Sequence, residues 1–294
     1  MSEAKPIRAR EKTEGRDLTY PPLPEPLEVP VYDNHTHLEI EDGESGLDAY
    51  EQLDLAERVG VRGVVQVGTD LATSRWSAAL AAKDPRVLAA VALHPNEAPR
   101  LAERGLLDEH LAGIDELGSQ PRVRAVGETG LDFFRTGEDG RASQLESFEA
   151  HIEIAKRHGI ALQIHDRDAH EAVVDTLLRV GAPERTVFHC YSGDEQLASI
   201  CAEHGWFMSF AGTVTFKSAT NLRSSLRVAP RSLIMVETDA PFLTPMPYRG
   251  RPNSAYLIPN TLRYMAMVLD ADLNTLSEQI AYNTEQVYGS WDSK

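Results

Sequence analysis

Two histidines, His35 and His37, close the run Val31-Tyr-Asp-Asn-His-Thr-His. Side chains alternate faces along a β-strand, so a strand here turns both imidazoles to one side, a single strand step apart. Two imidazoles on one face are half of a site for a divalent ion. An isolated His-x-His is more often incidental, and the pair gains meaning only if the chain supplies the other half.

Other short apolar runs end in residues of the same kind. The run 123–127 leads into Glu128, 161–164 into His165, 186–188 into His189, 233–236 into Glu237-Thr-Asp239, and 87–93 into His94-Pro95. His35, His37, Glu128, His165, His189 and Asp239 form a nitrogen and oxygen set suited to one or two borderline divalent ions. A glutamate in the middle of the strand order can reach two ions and bridge them. Two ions about 3.5–4 Å apart activate a water and clamp a phosphoryl or carbonyl oxygen. Each residue alone has an ordinary reading: a strand-end histidine as a hydrogen-bonded wall, Asp239 before Ala-Pro as a cap or turn residue. Those readings do not predict that all six stand at the same end of consecutive strands.

The strand-like runs are 31–34, 63–67, 87–93, 123–127, 161–164, 186–188, 206–209 and 233–236. Helix-like stretches lie between them at 47–59, 73–83, 101–117, 144–158, 169–180, 195–203 and 219–228, and two more follow at 260–269 and 273–287. Near-continuous apolar strands alternating with amphipathic helices predict a parallel sheet covered by helices. Eight such units point to an α/β chain folded as a (β/α)8 TIM barrel, a single domain over 31–294. In that fold the chemistry sits at the C-terminal strand ends. No G-x-G-x-x-G or P-loop motif supports an open doubly wound sheet. Residues 1–30, with Pro21-Pro22-Leu-Pro24-Glu-Pro26, show neither period and read as a flexible, mobile or surface-lying extension.

The formal net charge is −16, which argues against a protein that coats nucleic acid along a basic stripe. It leaves room for an enzyme that grips a few phosphates at a metal-bearing cleft, where the ions are the largest local positive charges. No apolar run is long enough to span a bilayer, and the first residues carry no apolar signal core. Two cysteines, Cys190 and Cys201, make no disulfide framework, and a reduced cytoplasmic setting is the expectation.

Five stretches carry a family resemblance. Asp33-Asn-His-Thr-His37, Gly127-Glu-Thr-Gly-Leu-Asp132-Phe-Phe, Ile164-His-Asp-Arg-Asp168-Ala, Phe188-His-Cys-Tyr-Ser-Gly193 and Val236-Glu-Thr-Asp-Ala-Pro-Phe-Leu243 are similar to the motifs of the TatD family of metal-dependent deoxyribonucleases, within the amidohydrolase-like barrels. The resemblance runs from Val31 to Val287 in family order and leaves out the N-terminal extension. It implies that His35, His37 and Asp239 hold one ion, that His165 and His189 hold the other, and that Glu128 bridges them. It also implies that Asp239 orients or deprotonates the attacking water. His94 then stands at the phosphate or behind the ligands, and Arg249 and Arg251 meet the substrate phosphate with their guanidiniums. Asp33, Asp132 and Glu237 fall behind the ligands. The chain departs from the family pattern at Arg251-Pro-Asn-Ser-Ala255, where Arg-Asn-Glu-Pro is usual, and at Tyr191, where phenylalanine is usual. Many related barrels bridge two ions with a modified lysine at the strand-four end, and Glu128 in that place favours the nuclease-like branch.

The activity so implied is hydrolysis of DNA phosphodiesters by a metal-bound hydroxide, as a 3′–5′ exonuclease on single-stranded or frayed ends. It needs two divalent ions, Mg2+, Mn2+ or Zn2+, with DNA ends as substrate and no membrane or obligate protein partner. The alternative is a D-aminoacyl-tRNA deacylase or another ester or amide hydrolase on the same metal site. A barrel that has lost its chemistry and serves as a scaffold is disfavoured, because a decaying site loses ligands first.

Overall fold

The computed structural model describes residues 5–11 and 13–292. Eight parallel strands follow one another around a single sheet in chain order. They are β1 (Val31–Thr36), β2 (Val61–Val67), β3 (Val87–Val91), β4 (Val123–Asp132), β5 (Ala161–Arg167), β6 (Thr186–Phe188), β7 (Phe207–Phe210) and β8 (Ile234–Val236). Their Val, Ile, Leu and Ala side chains are buried on both faces, as expected where one face meets the barrel interior and the other meets helices. The outer layer is α1 (Ala49–Glu57), α2 (Leu71–Ala81), α3 (Ala98–Glu103), α4 (Leu107–Gly118), α5 (Glu138–His158), α6 (His170–Val180), α7 (Glu195–His204), α8 (Thr220–Val228), α9 (Ile258–Leu269) and α10 (Leu273–Tyr288). The expected (β/α)8 barrel is the observed one.

Local chemistry sets several helix ends. Asp48 with Glu51, and Asp70 with Thr73, make reciprocal capping boxes at α1 and α2. Gly159 and Gly205 stop α5 and α7 in the left-handed conformation. The stretch expected as one helix over 101–117 is two, α3 and α4, because Gly105 turns the chain at φ +67°. Two strands run further than their apolar stretches. β4 continues to Asp132 and β5 to Arg167, paired from Thr129↔Ile164 to Asp132↔Arg167. Ladder hydrogen bonds do not need apolar side chains, and at the mouth these side chains face a cleft rather than a core.

The seam of the barrel lies between β1 and β8. Among the described residues these strands meet through one parallel bridge, Thr36↔Ala240. Asp239 N donates to His35 O at 2.9 Å and His37 N to Ala240 O at 2.8 Å. Below the bridge, Thr238 N donates to the buried Asp33 carboxylate at 2.9 Å, and Asn34 Nδ2 donates to Val236 O at 2.6 Å. The closure is therefore made by the residues that flank His35, His37 and Asp239.

The opposite end is plugged. Trp291 stacks on Tyr32 with ring centres 4.0 Å apart, and its Nε1 donates to Arg86 O at 3.1 Å. Gly63 makes room for it, since a Cβ there would lie 2.5 Å from the Trp291 Nε1. Val65, Leu88, Ala90, Ala125 and Val187 pack with this pair inside the barrel. A polar layer separates plug from mouth: Gln163 Nε2 donates to Asn34 O at 2.8 Å and to the Tyr288 hydroxyl at 2.6 Å.

The N-terminal segment lies on the barrel surface. Arg8–Ala9 pairs in parallel with Ile40–Glu41 just after β1. The Tyr256 hydroxyl donates to Pro21 O at 2.6 Å, and Leu27 N donates to Val59 O at 3.0 Å. Residues 1–4, 12 and 293–294 of the two expected regions lie outside the described residues.

Candidate active site

The ligand-bearing strands depart from regular pairing where the candidate ligands stand. Between Asp33↔Val64 and Thr36↔Gln66, β1 advances one residue more than β2. Between Val126↔Leu162 and Thr129↔Ile164, β4 advances one more than β5. Such bulges re-aim a side chain, and here they fall at Asn34-His35 and Gly127-Glu128. Gly127 is required by space as well: a Cβ would lie 2.4 Å from Gln163 Cβ. Asp239 follows β8 in the left-handed region at φ +53°, which Asp tolerates better than most residues.

These positions bring all six expected ligands to one floor. His35 Nε2 and His37 Nε2 are 3.3 Å apart. Asp239 Oδ1 lies 3.7 Å from the former and 3.4 Å from the latter, and Glu128 Oε1 lies 3.5 Å from His37 Nε2. Donors around one tetrahedral ion at metal–ligand distances of about 2.0–2.2 Å stand about 3.4 Å apart, so this corner fits a cation. The other oxygen of the same carboxylate, Glu128 Oε2, lies 2.9 Å from His189 Nε2 and 3.2 Å from His165 Nδ1. One glutamate thus faces both corners with different oxygens. Three groupings bring their donor atoms within 4.8 Å of one another, His35-His37-Glu128, His35-His189-Asp239 and His94-Glu128-His165.

The residues behind the floor orient it. Val67 O is 3.0 Å from His37 Nδ1, which turns Nε2 to the cleft. Glu237, fully buried, sits 3.3 Å from His189 Nδ1 and accepts from Cys190 N at 2.8 Å. Asp132 Oδ2 sits 3.3 Å from His165 Nε2 and accepts from Asn96 Nδ2 at 3.2 Å. Carboxylates or carbonyls that hold the far nitrogen of a histidine set its tautomer and raise its basicity. The Tyr191 hydroxyl, the departure from the family pattern, donates to Asp194 O at 2.8 Å.

The charge state follows from this packing. Burial works to push the Glu128 carboxyl up, but the imidazoles of His94, His189 and His165 hold it well below the usual carboxylate range. Burial pulls His37 down, and the Asp239 hydrogen bond with the charges of Glu39 and Glu128 outweighs it, raising His37 to about 9. His189 is raised well above its ordinary value against the pull of burial, chiefly by Glu128 and Glu237. Burial and the neighbouring His189 keep His35 well below its ordinary value, and burial holds His94 down to about 3. Protonated imidazoles thus balance the carboxylates. A divalent ion binds by displacing those protons.

The floor lies in a cleft of about 660 Å³, in the size range of small-molecule sites. His94 lines it, with Nε2 3.8 Å from Glu128 Oε2. His94 is expected at the phosphate or behind the ligands; its ring nitrogen also groups with Glu128 and His165 at the second corner. Arg249 and Arg251 do not line the cleft among the described residues. The loop after β8 folds outward: Arg249 covers the Phe216 ring at 4.3 Å, and Arg251 donates to Thr19 O and Tyr20 O, each at 2.8 Å. The guanidiniums that do line it are Arg8, Arg100, Arg135 and Arg167. Arg167 was readable, two residues after His165 in the same motif. Arg8, Arg100 and Arg135 carry no periodic or motif signal.

A parallel eight-stranded barrel with an imidazole and carboxylate floor at its C-terminal mouth defines the class of metal-dependent hydrolases. The family model described as TatD related DNase matches residues 32–289. Over 263 residues, 88% of this chain and 98% of the relative, the chain is 40% identical to an uncharacterized metal-dependent hydrolase, TatD, of Mycobacterium tuberculosis H37Rv. It is 33% identical to the uncharacterized metal-dependent hydrolase YabD of Bacillus subtilis 168, covering 87% of this chain and 96% of that one. The fold is shared with the crystal structure of YJJV, a TatD homologue of Escherichia coli K12, at a TM-score of 0.79 and 24% identity over 88% of this chain and 98% of that chain. The chain belongs to the TatD family of metal-dependent hydrolases. No helix among the described residues is long and apolar enough to cross a membrane.

Proposed function

We infer that this hydrolase cleaves phosphodiester bonds at DNA ends, working from the 3′ end of single-stranded or frayed DNA with two divalent ions, Mg2+, Mn2+ or Zn2+. The observation that carries the reading is the pairing of floor and rim. The floor is a set of donors for divalent ions, and the walls carry Arg100, Arg135 and Arg167 in a chain whose net charge is −16. Guanidiniums gathered on one cleft of an acidic protein suit a short stretch of phosphates, whereas the remaining surface repels a long duplex. Phe134, 61% exposed, lies under the Arg167 guanidinium at 3.9 Å and offers a ring on which an unpaired base stacks.

His35, His37, Glu128, His165, His189 and Asp239 would hold the divalent ions, which when bound would supply Lewis-acid polarisation of a phosphoryl oxygen and a more acidic water. Glu128 holds both corners together. Asp239, the more exposed of the two carboxylates at the first corner, accepts the proton of the attacking water. Arg135 and Arg167 orient the phosphate and oppose the charge that develops on its oxygens. The setting is the cytoplasm, and the reaction needs no partner chain.

The test is a panel with the metal-loaded protein on defined single-stranded and duplex DNA ends, on RNA, and on D-aminoacyl-tRNA. Release of mononucleotides from single-stranded 3′ ends, abolished by Glu128→Ala, is the expected result. Deacylation of D-aminoacyl-tRNA with intact DNA ends assigns the same site to ester hydrolysis and overturns the phosphodiester reading.

A further inference from the structure

The cleft has a wall that lies outside the family match, which begins at residue 32. Arg8 lines it. Ile7 N and Arg8 N donate to Glu39 O at 2.9 and 3.1 Å, and Arg10 N donates to Glu41 O at 2.9 Å. The segment is thereby fixed to the chain that leaves β1 directly after His37. The guanidinium of Arg8 meets the Glu39 carboxylate through Nε, at 3.2 Å, and through Nη2 on the same oxygen. Glu39 is fully buried, and its other oxygen accepts from Gln66 Nε2 at 2.6 Å. The N-terminal segment therefore supplies the cation for a buried carboxylate two residues from a metal-site histidine.

The contact does not exhaust Arg8. A guanidinium has five N–H groups, and Glu39 takes only one bond from Nε and one from Nη2. Nη1 has no hydrogen-bond partner among the described residues, and the side chain, 35% exposed, lines the cleft. The next turn of the segment ties down the other ligand-bearing loop. Arg10 Nη1 donates to Pro241 O at 2.7 Å, and its guanidinium lies 4.9 Å from the centre of Phe242, a cleft residue just past Asp239. Arg16 Nη1 donates to Asp42 Oδ1 at 2.7 Å and its Nε to Gly250 O at 2.6 Å. Arg8 is thus held at both its backbone and one edge of its side chain, on the Glu39 oxygen that lies 3.7 Å from His37 Nδ1.

We propose that Arg8 is a substrate-binding residue: anchored on Glu39 by one edge, it presents its free N–H groups to an anionic oxygen of a phosphate seated over the His37 and Asp239 side of the floor. This rests on the reading of the cleft as a phosphate site. An arginine held in place before binding loses little side-chain freedom when the anion arrives, and its planar fork suits phosphate geometry. It also gives the segment before residue 31 a task, since of the two arginines after β8 expected to meet the substrate, Arg249 lies on Phe216 and Arg251 is turned onto that same segment at Thr19 and Tyr20.

The test uses the full chain loaded with metal. Calorimetric titration of inorganic phosphate is compared between the parent protein, Arg8→Gln and Arg8→Lys, with metal content by mass spectrometry and thermal melting in parallel. Arg8→Lys keeps a cation on Glu39 but loses the fork, so it guards against a folding defect in Arg8→Gln. Phosphate affinity is expected to fall about tenfold in Arg8→Gln, the scale of one lost hydrogen bond to a charged group, and by an intermediate factor in Arg8→Lys. Metal content stays at the parent level, and KM for a DNA end rises while kcat falls by less than about threefold. Unchanged phosphate affinity in both variants overturns the proposal, as does loss of metal with phosphate affinity retained, which makes Arg8 a prop for Glu39. A parent protein that binds no phosphate overturns the phosphodiester reading and the proposal with it. Binding by the parent that both variants match overturns the proposal alone.

Discussion

The two ends of the barrel are built from the same eight strands and do opposite things. At the lower end Tyr32 and Trp291 stack and Val65, Leu88 and Val187 fill the interior. At the mouth five of these strands carry or lead into His35, His37, Glu128, His165, His189 and Asp239, whose polar atoms stand 2.9–3.7 Å apart. Apolar burial stabilises the first arrangement directly. The second gathers groups whose charges and lone pairs need cations or protons between them. The plug holds the barrel together, so the mouth is free to carry a costly cluster. The layer of Gln163, Asn34 and Tyr288 lies between the two environments, joined by the hydrogen bonds that Gln163 Nε2 donates to Asn34 O and to the Tyr288 hydroxyl.

The largest expected effect that sharpens this contrast lies at the mouth. His37→Ala should remove one bound ion and reduce hydrolysis about a thousandfold, the scale of removing one group that stabilises the reacting oxygen. Thermal melting of the metal-free protein should change little, and both are checked by metal analysis and calorimetry. A collapse of the fold would show that the histidine pair is structural and would erase the division between the two ends. At the plug the reverse is expected. Trp291→Ala should cost about 3–5 kcal/mol in denaturant unfolding, with metal stoichiometry and the catalytic rate of the folded fraction retained. A loss of metal in that variant would show that the ends are mechanically coupled.

A smaller effect tests the shell around the mouth. His151 on α5 is buried, receives a hydrogen bond from Leu93 N at 3.0 Å, and is held down to about 4 by burial. The unfolded chain protonates this histidine near its ordinary value of 6.5, whereas the folded protein keeps it neutral until the pH approaches 4. The unfolded state therefore binds the extra proton in that window. Its contribution to stability is complete above 6.5 and is lost as the pH falls through the window to 4, by about 3 kcal/mol in all. Urea unfolding at several pH values should show this slope in the parent protein and a flatter one in His151→Gln.

Much of this was legible in the chain. The period of the strands and helices predicts the barrel, and the barrel then says at which strand ends to look, so the six floor residues follow from Val31-Tyr-Asp-Asn-His-Thr-His and its counterparts. Glu128 could be placed at the mouth because it directly follows the strand-like run 123–127. That β4 continues through it by a bulge was not readable, because pairing beyond the apolar stretch depends on the backbone of β5. The positions of Arg249 and Arg251 were not readable either. Their basic loop has the right composition for a phosphate contact, and its direction is decided by Phe216 and by the carbonyls of Thr19 and Tyr20, residues far away in the chain.

The amino-acid sequence by itself determined the parallel barrel and the residue types at its mouth. Hydrophobic periodicity and strand-end chemistry are local properties, carried by neighbours a few positions apart. Only the tertiary structure decided which oxygen of Glu128 faces which histidines, that the seam of the barrel closes through the ligand loops, and that a guanidinium of the N-terminal segment, that of Arg8, lines the cleft. Those facts depend on distances between segments separated by up to the length of the chain, and no local pattern encodes them. They are settled when burial, ladder pairing and charge balance are satisfied together.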